Sequence, residues 1–382
     1  MPTFDTDPVQ LALSAEGVET RQRACQPSAR VRVGLLMNPK ARRLRRSGER
    51  AALADLLGER DAWMETHDLA SLRRALAFLL CVRAANVLAV AGGDGTVHHV
   101  VNALLALGRE AEAATGVRPP LPRLLILNGG TLNIVGRTVA IHGAPRDTLR
   151  NFLRYFQGAP LSRVPARRLP LLEVRCGVAP ESQSDGAAAP RTPSWTDLPP
   201  RWGFVFGSEA AFHALELYGR FGAGYLVLSR FLLEFFRGAL VGGELWDTEG
   251  WKLGPYADLR VDDQTFGRYS GVVASTVDLT LAIGSVRTIR RSLHRPGFAA
   301  RVVEETDLSR LMRVVPGLMS ERSVAGVRDF PEATRMDLSG PYTLDGECFS
   351  EPAVSSARQP LVVTASTERL HAVPGDFTAD EW

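Results

Sequence analysis

Three glycines surround one carboxylate and one hydroxyl in the run Gly92-Gly93-Asp94-Gly95-Thr96, which directly follows an apolar segment. Glycines let backbone amides approach phosphate oxygens closely, and a helix that follows directs its positive end to the same place. An aspartate among these amides suits an anion that arrives with a cation, such as a nucleoside triphosphate carrying Mg²⁺. The pattern therefore predicts a phosphate-binding loop. A tight turn with Asp94 as helix N-cap is the structural alternative.

A second loop of the same kind follows the next apolar run, in Asn128-Gly129-Gly130-Thr131. Two glycine loops at neighbouring strand ends predict a cleft that holds a triphosphate and ribose from both sides. A third and weaker element, beginning at Asn38, follows the first apolar run and is equally consistent with an ordinary turn.

A pair of carboxylates, Asp345 and Glu347, occurs far down the chain in Leu344-Asp345-Gly346-Glu347. If this segment is extended, the two side chains lie on the same side of it and could orient a hydroxyl and hold Mg²⁺. The alternative is structural, because Asp-Gly is a favoured hairpin turn.

The elements that must position these residues alternate along the first half of the chain. Apolar runs at 31–37, 86–91 and 123–127 predict strands, and periodic segments at 48–57, 69–80 and 97–107 predict helices. This alternation predicts a parallel sheet flanked by helices, with ligands bound beyond the carboxyl ends of the strands.

Short β-rich runs dominate after about residue 163 and predict a mainly antiparallel β-sandwich. We expect four regions: a loose arm with one short helix at most (1–29), an α/β nucleotide-binding domain (30–162), a β-sandwich domain (163–366) and a frayed C-terminal tail (367–382). Residues 179–200 are rich in Pro, Ser, Ala and Gly and predict a mobile loop within the sandwich.

In order and spacing, the two glycine loops and the late Asp-Gly-Glu segment resemble the lipid kinase family of diacylglycerol, sphingosine and ceramide kinases and their bacterial relatives. The likeness runs from about residue 31 to residue 364. The first loop alone is shared with NAD kinases, whereas the three motifs together are more specific. The resemblance implies ATP and Mg²⁺ as cofactors, an ATP cleft between the two domains, and a membrane lipid as phosphate acceptor.

Matching the family's motifs assigns roles to individual residues. Asp345 is the candidate base for the lipid hydroxyl, although in the sphingosine kinase branch that duty looks closer to Asp94. Mg²⁺ bound to the nucleotide would lie near Asp94 and Glu347. The residues placed around ATP are Asn38, Thr66, Gly92, Gly93, Asp94, Gly95, Thr96, Gly130, Thr131 and Glu347.

The chain departs from the family pattern at three places. Asn128-Gly129 stands where the family has a proline, and the usual Asn-Asp-Phe-Ala-Arg continuation reads Asn133-Ile134-Val135-Gly136-Arg137. Residues 280–303, which correspond to an acidic segment that holds a structural Mg²⁺ in many bacterial members, contain no Asp or Glu. That structural metal is therefore in doubt.

Composition narrows the function classes. The formal charge is +3, and the only lysines are Lys40 and Lys252. The four cysteines form no C-x-x-C pair, so we expect neither a disulfide nor a zinc site. A basic cluster at 40–50 suits phosphates or is simply a solvated helix face. No signal peptide or membrane span is apparent, so we expect a cytoplasmic protein without a nucleic-acid partner, in peripheral contact with a membrane. The oligomeric state stays open.

The apolar segment 221–240 predicts an amphipathic helix, which either lines an acyl-chain entrance or is an ordinary core helix. Two other functions remain alternatives: an NAD kinase-like enzyme and a non-catalytic nucleotide-binding sensor. A Rossmann oxidoreductase is disfavoured because the first loop lacks the G-x-G-x-x-G spacing.

Overall fold

The computed structural model describes residues 7–130, 132–178, 194–195, 199–221, 237, 256–281, 286–305, 323–350 and 359–376. The chain divides into two compact units. The first comprises Met1–Leu169 with Arg369–Trp382, and the second comprises Pro170–Glu368.

The helices and strands alternate in the first part of the chain, whereas strands dominate the rest. The helices are α1 (Pro8–Ala12), α2 (Ala15–Ala24), α3 (Ser47–Ala54), α4 (Leu69–Ala77), α5 (Asp94–Thr115), α6 (Ile134–Thr138), α7 (Pro145–Phe156) and α8 (Ala210–Phe221), with a π-helical turn at Phe78–Val82 and a 3₁₀ turn at Leu161–Arg163. The strands are β1 (Val33–Met37), β2 (Ala62–Glu65), β3 (Val87–Gly92), β4 (Arg123–Asn128), β5 (Arg167–Leu169), β6 (Leu172–Val178), β7 (Ser194–Trp195), β8 (Arg201–Gly203), β9 (Val205–Glu209), β10 (Leu259–Val261), β11 (Gln264–Phe266), β12 (Gly271–Ser275), β13 (Leu279–Leu281), β14 (Val286–Ile289), β15 (Phe298–Val303), β16 (Val327–Ala333), β17 (Arg335–Ser339), β18 (Tyr342–Leu344), β19 (Glu347–Phe349), β20 (Pro360–Ala365) and β21 (Leu370–Ala372).

The first unit contains a six-stranded sheet in the order β2-β1-β3-β4-β21-β5. Strands β1 to β4 are parallel neighbours, as the alternating pattern predicts. Every residue of β1 and β3 is buried, which is expected for parallel strands covered by helices on both faces. The short β2 is absent from the sequence-based expectation, because its half-exposed residues do not form an apolar run.

The N-terminal segment is not the loose arm that the sequence predicted. It contains two helices, α1 and α2, and the Ser14 side chain caps the second by accepting a hydrogen bond from Gly17 N. Arg21 donates to the Pro120 carbonyl at 2.8 Å, and Asn86 donates to the Ala24 carbonyl at 2.8 Å. These bonds attach the segment to the rest of the first unit.

The C-terminal tail also differs from expectation at its beginning. Strand β21 inserts between β4 and β5, parallel to the first and antiparallel to the second, and Val373 N donates to the Leu124 carbonyl at 2.8 Å. Leu370, Ala372 and Val373 are buried. The chain therefore returns to its first unit after completing the second. Residues 377–382, the end of the expected frayed tail, lie outside the described part.

The second unit is the predicted antiparallel sandwich. One sheet has the order β11-β10-β17-β20-β6-β7, with β8 also paired to β6, and the other has the order β16-β15-β12-β9-β18-β19. Side chains from both sheets form one core, including Val174, Met336 and Val363 from the first and Phe206, Val302 and Leu344 from the second. The sandwich thus buries the inner faces of its two sheets against each other.

Two expectations fall mainly outside the described residues. Of the loop expected at 179–200, only the β7 strand and residues 199–200 are described, and β7 pairs with β6. Of the amphipathic helix expected at 221–240, the structure describes only 221 and 237.

Candidate functional site

The carboxyl ends of three parallel strands meet at one edge of the first unit's sheet. Met37 pairs with Ala91 in register, and Gly92 pairs with Asn128. The residues that follow these strands, which include both glycine loops, therefore start side by side. Thr66 belongs to the same edge, since its N–H donates to the Met37 carbonyl at 2.9 Å and its side chain is buried.

The two glycine loops pack against each other through their backbones. Gly129 N donates to the Gly92 carbonyl at 2.7 Å. A Cβ added at Gly130 would lie 2.5 Å from the Gly93 Cα, and one added at Gly93 would lie 3.1 Å from the Gly130 Cα. Only glycine fits this approach at residue 130, so the two motifs form one continuous surface.

Asn38 joins the first strand to the first glycine loop. Its N–H donates to the Ala91 carbonyl at 3.0 Å, and its Nδ2 donates to the Thr96 Oγ1 at 2.8 Å. The Asn38 Oδ1 accepts from Lys40 N at 2.9 Å, which closes a turn. The weakest of the three sequence elements is thus connected directly to the strongest.

Asp94 bridges the two loops instead of capping its own helix. The N-cap of α5 is Gly93, without a side-chain capping bond, so the alternative in which Asp94 is the N-cap is wrong. Asp94 Oδ1 accepts from Val135 N at 3.2 Å in α6, which follows the second glycine loop. The carboxylate therefore fixes one loop relative to the other.

Asn133 closes the second loop. It has a left-handed backbone (φ 51°), its Oδ1 accepts from Gly130 N at 3.0 Å, and its Nδ2 donates to the Gly130 carbonyl at 3.2 Å. Thr131, a predicted ATP contact within this loop, lies outside the described residues.

Asn128 is a residue of this region whose part the sequence did not reveal. It ends β4, is 5% exposed, and donates from Nδ2 to the Ile141 carbonyl at 2.8 Å. Its Oδ1 makes no hydrogen bond and faces Gly136 in α6. The available signal was a polar residue directly after four consecutive apolar residues of β4.

In the second unit, Asp345 and Gly346 form the two-residue turn between β18 and β19, and both have positive φ, 54° and 91°. Leu344 pairs with Glu347 across the turn. The prediction that Asp345 and Glu347 share one side of an extended segment is therefore wrong, because the chain reverses between them. The hairpin alternative is the one observed, with positive φ at both turn residues as in a type I′ turn.

The Asp345 carboxylate is fixed by the neighbouring strand. Its Oδ1 accepts from Phe204 N at 2.8 Å and Val205 N at 2.9 Å, and Asp345 N donates to the Val205 carbonyl at 2.8 Å. A Cβ added at Gly203 would lie 2.6 Å from Asp345 Oδ2, so the carboxylate lies directly over this glycine. The side chain thus has a set orientation, as a group that must meet a substrate atom requires.

Arg201 braces the same hairpin and was not anticipated from the sequence. Its guanidinium donates to Tyr342 Oη at 2.6 Å and lies 4.4 Å from the centre of the Phe349 ring. Tyr342 and Phe349 stack with ring centres 5.1 Å apart, and burial raises the pKa of the Tyr342 hydroxyl well above its usual range. An arginine between two aromatic residues of β18 and β19 carried no local sequence signal.

Residues 32–158 match the family model described as the diacylglycerol kinase catalytic domain. This segment is similar to that kinase family. It contains both glycine loops and Asn38, the residues that the geometry brings together in the first unit. A comparison with curated proteins gives no match.

Two solved structures from Bacillus anthracis str. Sterne share the fold of the chain. One, described as a "putative diacylglycerol kinase", has 15% sequence identity and a TM-score of 0.55, and the match covers 90% of this chain and 96% of the other. Another, described as a diacylglycerol kinase, has 13% identity and a TM-score of 0.52 at the same coverage. At these identities the likeness establishes the two-domain fold alone.

The two packed glycine loops form a surface of the kind that suits phosphate groups. Glycines at 93 and 130 bring two backbones within van der Waals contact, which exposes amides without intervening side chains. The first-turn amides of α5, a helix of 22 residues, have no acceptors within the helix and direct its positive end to the same place.

The residues beside the glycine loops suit Mg²⁺ that is bound to a nucleotide, and not Mg²⁺ held by the protein alone. The described residues contain no cluster of three or more His, Cys, Asp or Glu that could hold a metal ion by themselves. Asp94 is a single carboxylate beside the loops, and Mg²⁺ commonly takes one or two carboxylates with the remaining oxygens from phosphates and water. The donor set therefore suits a metal that arrives with the nucleotide.

A buried carboxylate, Glu209, is a further unanticipated feature of the second unit. It ends β9 with a positive φ of 61°, and Tyr269 Oη donates to its Oε1 at 3.3 Å. Helix α8 follows β9 directly and packs beside the β18–β19 hairpin. In that hairpin, burial raises the pKa of the Cys348 thiol, and the negative charges of Glu216 in α8 and of Glu347 raise it further.

Within the described residues, no helix is both long and apolar enough to cross a bilayer.

Proposed function

We propose that this protein is an ATP-dependent kinase that transfers the γ-phosphate of ATP to a hydroxyl group of a membrane lipid. The observation that carries the proposal is the direct packing of two glycine loops at the carboxyl edge of a parallel sheet, within a domain of the diacylglycerol kinase catalytic family. Diacylglycerol, ceramide and sphingoid bases are the acceptors under consideration.

The residues of the first unit would hold the nucleotide. Backbone amides of Gly93 to Thr96 and of Gly130 would contact the phosphates, with Asn38 and Thr66 at the edge of the same surface. Mg²⁺, held by the nucleotide with Asp94 and Glu347, would supply charge neutralisation for the transferred group. Phosphoryl transfer asks a protein mainly for such positioning and charge stabilisation.

Asp345 would accept the proton of the lipid hydroxyl. The two backbone N–H bonds that its Oδ1 accepts hold the carboxylate in a fixed orientation, as this role requires. Asp94 remains the competing candidate. Its carboxylate bridges the two loops through Val135, which supports a positioning role for it and a proton-accepting role for Asp345.

The test is a panel of acceptors offered to the purified full-length chain with radiolabelled ATP and Mg²⁺. Diacylglycerol, ceramide and a sphingoid base are presented in mixed micelles, and NAD is presented in solution. Label in one of the lipids supports the proposal. Label in NAD alone, or nucleotide binding without transfer to any acceptor, contradicts it and favours the NAD kinase-like or sensor alternative.

A further inference from the structure

Five cations are exposed on the segment that follows β1, and this group (Lys40, Arg42, Arg43, Arg45 and Arg46) is called the basic loop below. In the part of the chain that the structure describes, none of the five forms an ion pair with a carboxylate. Arg50, the next cation, does so, binding Glu65 at 2.7 Å. The basic loop therefore presents positive charge that the protein itself does not neutralise.

Backbone contacts hold the basic loop at the same sheet edge as the glycine loops. Arg43 N donates to the Gly129 carbonyl at 3.1 Å, and the Arg43 side chain donates to the Gly143 carbonyl at 2.8 Å. Lys40 Nζ donates to the His67 carbonyl at 3.1 Å, just before α4. A surface that binds through this loop would therefore lie beside the candidate nucleotide site.

An exposed apolar side chain stands beside this charge. Leu69, the first residue of α4, is 63% exposed and follows shortly after His67, which Lys40 contacts. Asp68, between them, uses its carboxylate to accept the Ser71 N–H at 2.6 Å as the cap of α4. Cations without acidic partners next to an exposed leucine suit an anionic bilayer surface better than a small soluble anion, which offers nothing to the leucine.

We infer that the basic loop and Leu69 form a docking surface for an anionic lipid bilayer. The inference names a surface for the membrane contact that the proposed function requires, but it concerns binding alone and can be tested without phosphoryl transfer. Each cation near an anionic membrane strengthens binding about fivefold, equivalent to about 1 kcal/mol.

The experiment measures partitioning of the full chain onto vesicles, without nucleotide. Vesicles of phosphatidylcholine with phosphatidylglycerol are compared with vesicles of phosphatidylcholine alone. The test variant replaces Arg42, Arg45 and Arg46 by Gln, which spares Lys40 and Arg43 because those side chains also make bonds within the fold. Arg45 Nε also donates to a carbonyl, that of Lys40, but at 3.4 Å this bond is the longest of the three and lies within the basic loop itself. The triple variant should weaken binding to the anionic vesicles about 100-fold at low salt, and a Leu69→Ser variant should weaken it about tenfold.

A matched control removes the same charge from the other edge of the sheet. Arg23, Arg60 and Arg154 are exposed and belong to segments at the amino ends of the strands. Ala24, next to Arg23, accepts a bond from Asn86 just before β3, and Ala159, shortly after Arg154, accepts one from Val31 just before β1. Arg60 itself comes just before β2. Their triple Gln variant should bind anionic vesicles within about twofold of wild type, because charges on the far side are screened beyond about 10 Å.

Two results would overturn the inference. One is equal loss of vesicle binding in the test and control variants, which would mean that net charge alone matters. The other is unchanged vesicle binding in the test variant together with weakened binding of MgATP, which would assign the arginines to the nucleotide. A chain that binds vesicles as expected but phosphorylates no lipid would contradict the proposed function and leave the docking surface standing.

Discussion

The Oδ1 of Asn128 lies against the Cα of Gly136, so close that a methyl group at residue 136 would stand 2.1 Å from that oxygen. The same Asn128 holds the Ile141 carbonyl through Nδ2. The two departures from the family pattern noted in the sequence, an asparagine at the start of the second loop and a glycine in α6, are therefore one structural feature. The Asn128 side chain fills the space that a side chain at residue 136 would need.

This pair predicts coupled effects on stability. Gly136→Ala should destabilise the chain by about 1–3 kcal/mol, because overpacking a filled site outweighs the better helix propensity of alanine. Adding Asn128→Ala should relieve the clash, so that the double variant is at least about 1 kcal/mol more stable than the sum of the single changes predicts. Urea unfolding of the four proteins measures the coupling. Additivity within about 0.5 kcal/mol would show that the residues do not constrain each other.

The contact between the glycine loops predicts a loss of nucleotide binding on a minimal change. Gly130→Ala adds a Cβ 2.5 Å from the Gly93 Cα, and the loops must separate to accept it. We expect at least tenfold weaker MgATP binding by titration calorimetry. Gly48→Ala in α3 is the control, since nothing lies within 4 Å of its added Cβ. Similar MgATP affinities for the two variants would show that the glycine loops do not form the nucleotide site.

The N-terminal helices predict that a single buried arginine stabilises the first unit. Arg21 is 3% exposed and donates to the Pro120 carbonyl, whereas Arg23 on the same helix is exposed. Arg21→Ala should lower the free energy of unfolding by about 2 kcal/mol, because it leaves a cavity and a carbonyl without its donor. Arg23→Ala should change it by at most about 0.5 kcal/mol. Equal effects in thermal unfolding would mean that the helices are not integrated into the unit.

The sequence predicted the central strands and the glycine loops well because their signals are local. The runs at 31–37, 86–91 and 123–127 lie within two residues of the observed β1, β3 and β4 at each end, and each ends where a turn residue follows. Buried parallel strands consist of apolar residues on both faces, which a single sequence displays clearly.

The features that the sequence did not predict depend on contacts between distant residues. Strand β21 has three residues and is a strand only because β4 and β5 flank it. Arg201 acquires its role from Tyr342 and Phe349, more than a hundred residues later. For Asp345 and Glu347 the sequence left two interpretations open, and the extended one, on which a shared side depended, is wrong, whereas the hairpin turn is observed.

The role of Asp345 can be separated from its structural duty by comparison with Asp262. Asp262 also has a positive φ, 48°, and its Oδ1 also accepts two backbone N–H bonds, from Thr334 and Arg335. Asparagine retains that acceptor oxygen and tolerates the left-handed conformation. Both Asp→Asn variants should therefore fold, with free energies of unfolding within about 1 kcal/mol of that of wild type. The two variants are expected to differ in proton transfer.

The lipid kinase activity and its base are tested together by the rate at which wild type, Asp345→Asn and Asp262→Asn transfer labelled phosphate from ATP to lipid. We predict labelled lipid from wild type, near-normal turnover from Asp262→Asn, and at least a hundredfold loss in Asp345→Asn with unchanged ATP binding, which is the scale for removing a general base. Near-normal turnover of Asp345→Asn would contradict the assigned base, and the absence of labelled lipid from wild type across the acceptor panel would contradict the lipid kinase itself.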